Sequence, residues 1–267
     1  MIDKNLGLVS ISYRKASAEQ IVRLCERHNL MEIEWGGDMH VPHGNIKEAG
    51  RIAKLCRDAG ISIVSYGAYC DPATFHENGL DFSPLADTAL ALGAPILRCW
   101  CGEQASKRGI RITQQVYDDM VSNSVKMSRE CQKKGIKISY EYVYDSVKAL
   151  FNTQRHMAAQ RFLEDAAHEN TYSHWQQRGV GEDNLEGLRY LIANNLLTIV
   201  HANFHEADAT TTPEQSIAKR KNDWPFYRKL LETYDRPYSI LVETCTDDDP
   251  EHLTIYLEAL KKYLLDR

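Results

Sequence analysis

The chain alternates regularly between short apolar segments and longer amphipathic ones, a pattern that few folds can accommodate. The short segments are rich in β-branched and aromatic residues, and each has the length of a single β-strand. Eight of them recur along the sequence, at residues 7–13, 31–35, 61–66, 96–100, 136–143, 171–175, 198–204 and 238–244. This spacing predicts eight strands separated by other secondary structure.

The longer segments have the apolar spacing of amphipathic helices. They cover residues 17–28, 45–59, 84–92, 113–134, 147–167, 185–194, 224–234 and 251–265. Strands that alternate with helices pair in parallel. The chain has 267 residues, and one (β/α)8 TIM barrel typically needs roughly 250. We therefore predict an α/β fold, with a single (β/α)8 barrel domain over residues 1–267.

Residues at the ends of the predicted helices agree with this architecture. Gly60 and Gly135 stand where glycine can take the left-handed conformation that ends a helix, just before a predicted strand. Asp249 followed by Pro250 predicts a helix start after the eighth strand. A doubly wound open sheet is the competing architecture, but residues 10–14 (SISYR) after the first strand are not a glycine-rich phosphate loop.

The composition disfavours several classes of protein. Hydrophobic residues make up 43% and charged residues 26%, as in ordinary globular proteins, and no run approaches the roughly 18 apolar residues of a membrane span. The first residues lack the apolar stretch of a secretory signal, so we expect a cytoplasmic protein. The net charge of −5 disfavours a nucleic-acid partner, since such proteins usually carry a basic surface. The seven dispersed cysteines suit reduced thiols.

In a parallel barrel the C-terminal ends of all strands open on one face, so polar residues at those ends converge. The predicted strands end on many such residues, several of them in longer motifs. These motifs are 34–44 (EWGGDMHVPHG), 65–69 (SYGAY), 98–100 (RCW), 140–142 (YEY) and 241–243 (LVE), which runs into 247–251 (DDDPE).

Through these motifs the chain resembles, over essentially its whole length, the xylose-isomerase-like sugar-phosphate isomerases and epimerases. The resemblance implies a TIM barrel of the xylose-isomerase-like kind. It also implies a divalent cation (Mn²⁺, Mg²⁺, Zn²⁺ or Co²⁺) held by a glutamate on strand five, a carboxylate on strand six, a histidine on strand seven and a glutamate on strand eight. Glu141, His201 and Glu243 match the first, third and fourth of these ligands.

The chain departs from the family pattern at strand six, where Gln176, or alternatively His174, stands in place of the carboxylate. Replacing an anion by a neutral ligand weakens the binding of a hard cation. We therefore expect a metal that is weakly held or absent.

The residues themselves also suggest a chemistry. Isomerising or epimerising a sugar requires removing a proton beside a carbonyl and returning it elsewhere, which two acid or base groups can do. Glu141 and Glu243 are the candidate pair, and a cation between them would stabilise the developing charge. The alternative is that each glutamate forms a salt bridge with an arginine such as Arg14 or Arg98.

Other residues at the strand ends are predicted to contact the substrate. The aromatic rings could stack on a sugar, although large aromatics at strand ends also cap a barrel core. His205 is in addition a reserve metal ligand. The predicted substrate-binding residues are Trp35, His40, His43, Tyr66, Arg98, Trp100, Trp175 and His205.

Three functions from different classes remain open. The favoured one is a metal-assisted isomerase or epimerase of a small sugar, polyol or keto acid, with a lyase or dehydratase as a near neighbour. A barrel that has lost catalysis and only binds a small molecule would explain the missing acid on strand six. An apurinic-type endonuclease would need more metal ligands and basic loops. We expect a small-molecule partner and no nucleic-acid or membrane partner, and the sequence leaves homo-oligomer formation open.

Overall fold

The backbone closes into an eight-stranded barrel in which every neighbouring pair of strands is parallel. The computed structural model describes residues 6–74, 82–177, 181–203, 212–243 and 249–265. The strands follow each other around the barrel in chain order, and β8 pairs with β1, as the alternation predicted. They are β1 (Leu6–Val9), β2 (Glu32–Gly36), β3 (Ser62–Cys70), β4 (Ile96–Cys99), β5 (Lys137–Glu141), β6 (Thr171–Gln176), β7 (Leu197–Asn203) and β8 (Ser239–Glu243).

Helices surround the barrel. They are α1 (Ala18–His28), α2 (Ile46–Asp58), α3 (Ser83–Leu92), α4 (Glu103–Lys107), α5 (Gln114–Lys133), α6 (Asp145–Phe151), α7 (Arg155–Asp165), α8 (Glu182–Ala193), α9 (Pro213–Arg220), α10 (Trp224–Leu231) and α11 (Pro250–Leu260). None of the described helices is both long and apolar enough to cross a membrane.

The predicted helix boundaries are confirmed at several capping residues. Gly60 and Gly135 have φ of 69° and 71°, the left-handed conformation expected after α2 and α5. The Asp249 side chain accepts a hydrogen bond from the Glu251 backbone N–H at the start of α11, with Pro250 in the first turn.

Three local differences from the sequence prediction have identifiable causes. The helix predicted over 147–167 is broken into α6 and α7, because Asn152 takes the left-handed conformation and ends α6. The strand predicted over 7–13 ends at Val9 and continues as a 3-10 turn. Helices α4 and α9 lie in segments that had no predicted structure, and both are short enough to escape a periodicity search.

The hydrophobic core has two unequal parts. The large part fills the layer between the strands and the helices. The small part is a plug inside the barrel, formed by Val9, Ile11, Ile199 and Leu241. Side chains on a strand point alternately inward and outward, so inward positions recur every second residue. The inward residues that follow the plug along β7 and β8 therefore lie at the C-terminal ends of these strands. Those positions carry polar side chains, and they form the candidate site.

A pair of glycines tests the packing of the barrel. At Gly7 an added Cβ would lie 2.5 Å from both the Glu32 carbonyl oxygen and Leu241 Cδ2, so the backbone of β1 would have to shift. We expect Gly7→Ala to lower the free energy of unfolding by about 1–3 kcal/mol. Gly50→Ala, in an exposed part of α2 with open space around it, should instead raise it by about 0.5–1 kcal/mol. Urea denaturation measures both changes, and equal effects of the two substitutions would contradict the register of β1 with β2.

Candidate active site

A ring of buried polar side chains lines the mouth of the barrel. Its members come from inward-facing positions near the ends of six strands, since the neighbouring residues on the same strands pack outward into the large core. The described members are Glu34 (β2), Arg98 (β4), Glu141 (β5), His174 and Gln176 (β6), His201 (β7) and Glu243 (β8).

Arg98 lies at the centre of this ring. Its Nε donates a hydrogen bond to Glu34 Oε1 at 2.8 Å, and its Nη1 donates to Glu141 Oε2. Burial alone would lower the pKa of Arg98, but the two carboxylates raise it well above its usual value. The interior of the barrel therefore holds a permanent cation shared between two acids.

Glu34 accepts hydrogen bonds from three side chains. Besides Arg98, these are the Ser65 hydroxyl at 2.7 Å and His174 Nε2 at 3.2 Å. Burial would raise the pKa of Glu34, but Arg98 and then His201 outweigh it, and the pKa lies well below its usual value. Glu34 is thus an ionised carboxylate although it is fully buried.

His174 is a neutral imidazole in the ring. Burial lowers its pKa to about 4, even though Glu34 acts in the opposite direction. Its Nδ1 lies 2.5 Å from the Ser139 hydroxyl, and its Nε2 faces the ionised Glu34. The hydrogen-bond network therefore assigns the proton to Nε2, with Nδ1 accepting from Ser139.

His201 differs from His174 because both of its ring nitrogens are buried without a hydrogen-bond partner among the described residues. Nε2 lies 3.5 Å from Glu34 Oε2, and Nδ1 lies 3.8 Å from Glu243 Oε2. Burial opposes protonation of His201, but Glu34 and Glu243 outweigh it and raise its pKa. Burial also raises the pKa of Glu243, against the opposite influence of His201.

Glu141 is held by three donors. Arg98 Nη1 and Trp100 Nε1 donate to its Oε2, the latter at 2.5 Å, and Gln176 Nε2 donates to its Oε1 at 2.6 Å. The salt bridge to Arg98, considered above as the alternative to a functional role, is therefore present for Glu141. Arg14, the other arginine considered, instead pairs with Asp38 near the surface.

Two groups of side chains in the ring have the composition and spacing of a metal site. Glu141, His201 and Glu243 each offer one ligand atom within 4.8 Å of the others, and so do Glu34, His174 and His201. His201 belongs to both groups. Its two ring nitrogens have no hydrogen-bond partner among the described residues, and the lone pair of such a nitrogen can bind a metal ion. The residues present therefore fit a divalent cation.

The four predicted metal ligands all lie in the ring, with Gln176 bonded to Glu141. His174, the alternative to Gln176, lies deeper and is bonded to Ser139 and Glu34. Glu34 also lies in the ring, although it is not among the predicted site residues. The sequence signal for it is an acid at an inward position of an otherwise apolar strand.

The structure corrects the expected positions of two tryptophans. Trp35 Nε1 donates to Cys56 Sγ of α2, and Trp175 Nε1 donates to the Asn184 carbonyl of α8. Both rings are fully buried between the barrel and the helices, because they alternate with the inward residues Glu34 and His174. They cap the outer core and do not line the mouth. Trp100, by contrast, is half-buried beside Glu141.

The histidines predicted to bind substrate lie near the loop after β2. His40 Nδ1 is 3.1 Å from the Ser10 hydroxyl, and His43 Nδ1 is 2.6 Å from the Tyr66 hydroxyl. Tyr66 also donates to the Val41 carbonyl, so it ties this loop to β3. Substrate contact by these residues stays a prediction, and His205 lies outside the described residues.

Comparison with known proteins identifies the kind of barrel. No family sequence model matches the chain, and no curated protein sequence matches it. Solved structures do match. The D-allulose 3-epimerase from Methylomonas sp. has a TM-score of 0.69 at 13% identity, with 98% of each chain covered. The probable 3-DHS dehydratase AsbF involved in petrobactin synthesis, from Bacillus anthracis, has a TM-score of 0.69 at 15% identity, with 97% of this chain and 98% of that chain covered.

A xylose isomerase domain containing protein from Salmonella typhimurium LT2 matches with a TM-score of 0.65 at 13% identity, with 98% of this chain and 97% of that chain covered. The fold is therefore a xylose-isomerase-like TIM barrel, as the sequence motifs predicted. Since unrelated reactions occur on the same fold, the reaction has to be argued from the site.

The strand-six departure leads to a prediction about metal affinity. Gln176 Nε2 lies 2.6 Å from Glu141 Oε1, so Gln176→Glu would place a second carboxylate beside Glu141. A cation relieves the repulsion between two such carboxylates, and the extra charge attracts it. We expect Gln176→Glu to tighten binding of Mn²⁺ by about tenfold or more, which corresponds to about 1.4 kcal/mol per factor of ten. Titration calorimetry on chelator-treated protein measures this.

The matched control is Gln115→Glu, which adds the same charge at an exposed position of α5. It should leave the affinity for Mn²⁺ unchanged. Equal affinities in wild type and Gln176→Glu, or weaker binding in that variant, would show that Gln176 does not replace the missing ligand.

Proposed function

We propose that the protein is a metal-assisted isomerase or epimerase that moves a proton at a carbon next to the carbonyl of a small sugar, polyol-derived ketone or keto acid. The observation that carries this proposal is the pairing of two buried carboxylates, Glu141 and Glu243, around His201 at the mouth of the barrel, with one ligand atom of each within 4.8 Å of the others.

The two carboxylates suit different tasks. Glu141 accepts hydrogen bonds from Arg98, Trp100 and Gln176, which fix its orientation. Glu243 has a buried carboxylate, and His201 Nδ1 lies 3.8 Å from its Oε2. We assign to Glu243 the removal of the proton from the substrate carbon, and to Glu141 the second acid or base position, because a proton must be taken and returned at different places.

The surroundings of the carboxylates support this assignment. The ring is bounded from below by the apolar plug and from the sides by the strands, so Glu243 is only 5% exposed and electrostatic interactions around it are weakly screened. A divalent cation held by Glu141, His201 and Glu243 would polarise the carbonyl and stabilise the negative charge that develops on its oxygen.

Two of the structural neighbours have names that match this chemistry, a D-allulose 3-epimerase and a probable 3-DHS dehydratase. Elimination of water next to a carbonyl also begins with proton abstraction, so a dehydratase is the second candidate. The two candidates share their first step and differ in whether the proton returns to carbon. A test that detects proton removal therefore covers both, and the products separate them.

Exchange of substrate hydrogen with solvent tests the proposal directly. Wild-type protein with Mn²⁺ should incorporate deuterium from D₂O next to the carbonyl of at least one member of a panel of three- to six-carbon ketoses and keto acids. We expect Glu141→Gln and Glu243→Gln each to slow this exchange by roughly 10²–10⁴-fold, the usual scale for a positioned acid or base. Proton NMR follows the loss of the exchanging signal.

Glu26→Gln, on the exposed face of α1, is the matched control and should exchange at the wild-type rate. A folded Glu243→Gln variant with wild-type exchange would remove Glu243 from the mechanism. Absence of exchange across the panel, with Mn²⁺ bound, would favour a barrel that binds a small molecule without catalysis.

A further inference from the structure

Arg98 has one donor group that the site described above does not use. Its Nε and Nη1 are bonded to Glu34 and Glu141, but Nη2 is buried without a hydrogen-bond partner among the described residues. An unmatched N–H of a charged group is costly to bury, and such groups are normally satisfied. Nη2 lies against Gly67, where an added Cβ would come within 2.5 Å of it. The absence of a side chain on Gly67 is thus what leaves room for this part of the guanidinium.

A second unmatched donor lies beside it. The Tyr69 hydroxyl is buried and has no hydrogen-bond partner in the described parts of the chain. The Arg98 guanidinium carbon lies 4.8 Å from the centre of the Tyr69 ring, and the Trp100 ring packs edge-on against that ring at 4.9 Å. Tyr69 therefore faces the interior of the barrel next to Glu141 and its partners.

The backbone holds Tyr69 in this position at a cost. Tyr69 has φ of 52°, a conformation that is unfavourable for a bulky residue. It lies in an irregularity of β3, between the residue pairs Gly67–Arg98 and Cys70–Cys99, where two residues of β3 have no counterpart on β4. Such bulges re-aim side chains next to active sites, and strain of this kind clusters where a ligand is bound.

Each of the two groups has a proton to donate. A guanidinium has no acceptor atom, and burial raises the pKa of Tyr69 far above its usual value despite the opposing influence of Arg98, so the phenol keeps its proton. The nearest carboxylates, Glu34 and Glu141, already accept from three donors each. A ligand atom that satisfies both donors is therefore an acceptor.

We propose that Arg98 Nη2 and the Tyr69 hydroxyl form a subsite for an acceptor-only oxygen of the substrate, supplied by a carbonyl or carboxylate group of a small hydroxylated compound. The inference rests on the proposed function in that it places this oxygen in the same mouth. A hydroxyl oxygen fits less well, because its own proton would need a further acceptor. A charged and a phenolic donor together also stabilise an oxygen on which negative charge develops.

Three four-carbon probes separate these chemistries: erythrulose carries a carbonyl, erythronate a carboxylate, and erythritol hydroxyls only. Erythrulose stays open-chain, because its hydroxyls cannot close a five-membered ring on its carbonyl. Dissociation constants come from ligand-observed NMR titration of the full-length protein. We expect erythrulose or erythronate to bind wild type at least tenfold more tightly than erythritol, and the tighter of the two identifies the source of the oxygen.

Tyr69→Phe removes only the hydroxyl, and it should reduce this preference by about 3–10-fold, the scale of one hydrogen bond. Gly67→Ala retains the Tyr69 hydroxyl but crowds Arg98 Nη2, and it should have the same effect. Tyr234→Phe is the matched control, since that hydroxyl donates to the Leu197 carbonyl at the first residue of β7, away from the mouth. Gly50→Ala is the control for Gly67→Ala.

Equal affinity of wild type for the three probes would overturn the proposal, and so would the absence of measurable binding. A preference that persists in folded Tyr69→Phe and Gly67→Ala would overturn it as well, with folding checked by circular dichroism. These are equilibrium measurements that require no turnover. They can therefore succeed even if deuterium exchange fails, and fail even if exchange is observed, so the subsite and the proposed reaction are tested separately.

Discussion

The ion pairs of Arg98 are the interaction on which the rest of the site depends. A guanidinium buried inside a barrel is tolerated only because Glu34 and Glu141 neutralise it and accept its hydrogen bonds. The same pairing keeps the fully buried carboxylate of Glu34 ionised, because Arg98 holds its pKa well below the usual value. Removing the Arg98 guanidinium would leave Glu34 and Glu141 buried without a neutralising positive charge, which typically destabilises a protein by about 3–5 kcal/mol. Arg98 thus links the stability of the barrel to the chemistry at its mouth.

The arrangement around Arg98 also makes the site rigid. His174 is fixed between Ser139 and Glu34, and its tautomer follows from the ionisation of Glu34. His201 stacks edge-on against His174 with ring centres 5.1 Å apart, so its orientation is set by packing, although its nitrogens remain available. A site held in this way is organised before a ligand arrives, which is what electrostatic stabilisation of a transition state requires.

The departure at strand six changes the charge of the site and leaves its shape intact. Gln176 occupies an inward position and bonds to Glu141, so the amide fills the space of a carboxylate while contributing no anion. A divalent cation at Glu141, His201 and Glu243 would thus be attracted by two carboxylates, one fewer than the resemblance implies. Arg98 already supplies part of the positive charge in the ring.

The eight strands and their alternation with helices, and hence the barrel, could be predicted from the sequence, because strand and helix periodicities are local properties. It also indicated the ends of strands five, seven and eight. The other features of the site depend on contacts between distant parts of the chain. Trp35 and Trp175 face outward since barrel register, and not residue type, sets which side of a strand is inside. Arg98 meets its partner carboxylates and the Tyr69 ring through contacts between different strands, and no local sequence pattern encodes such contacts.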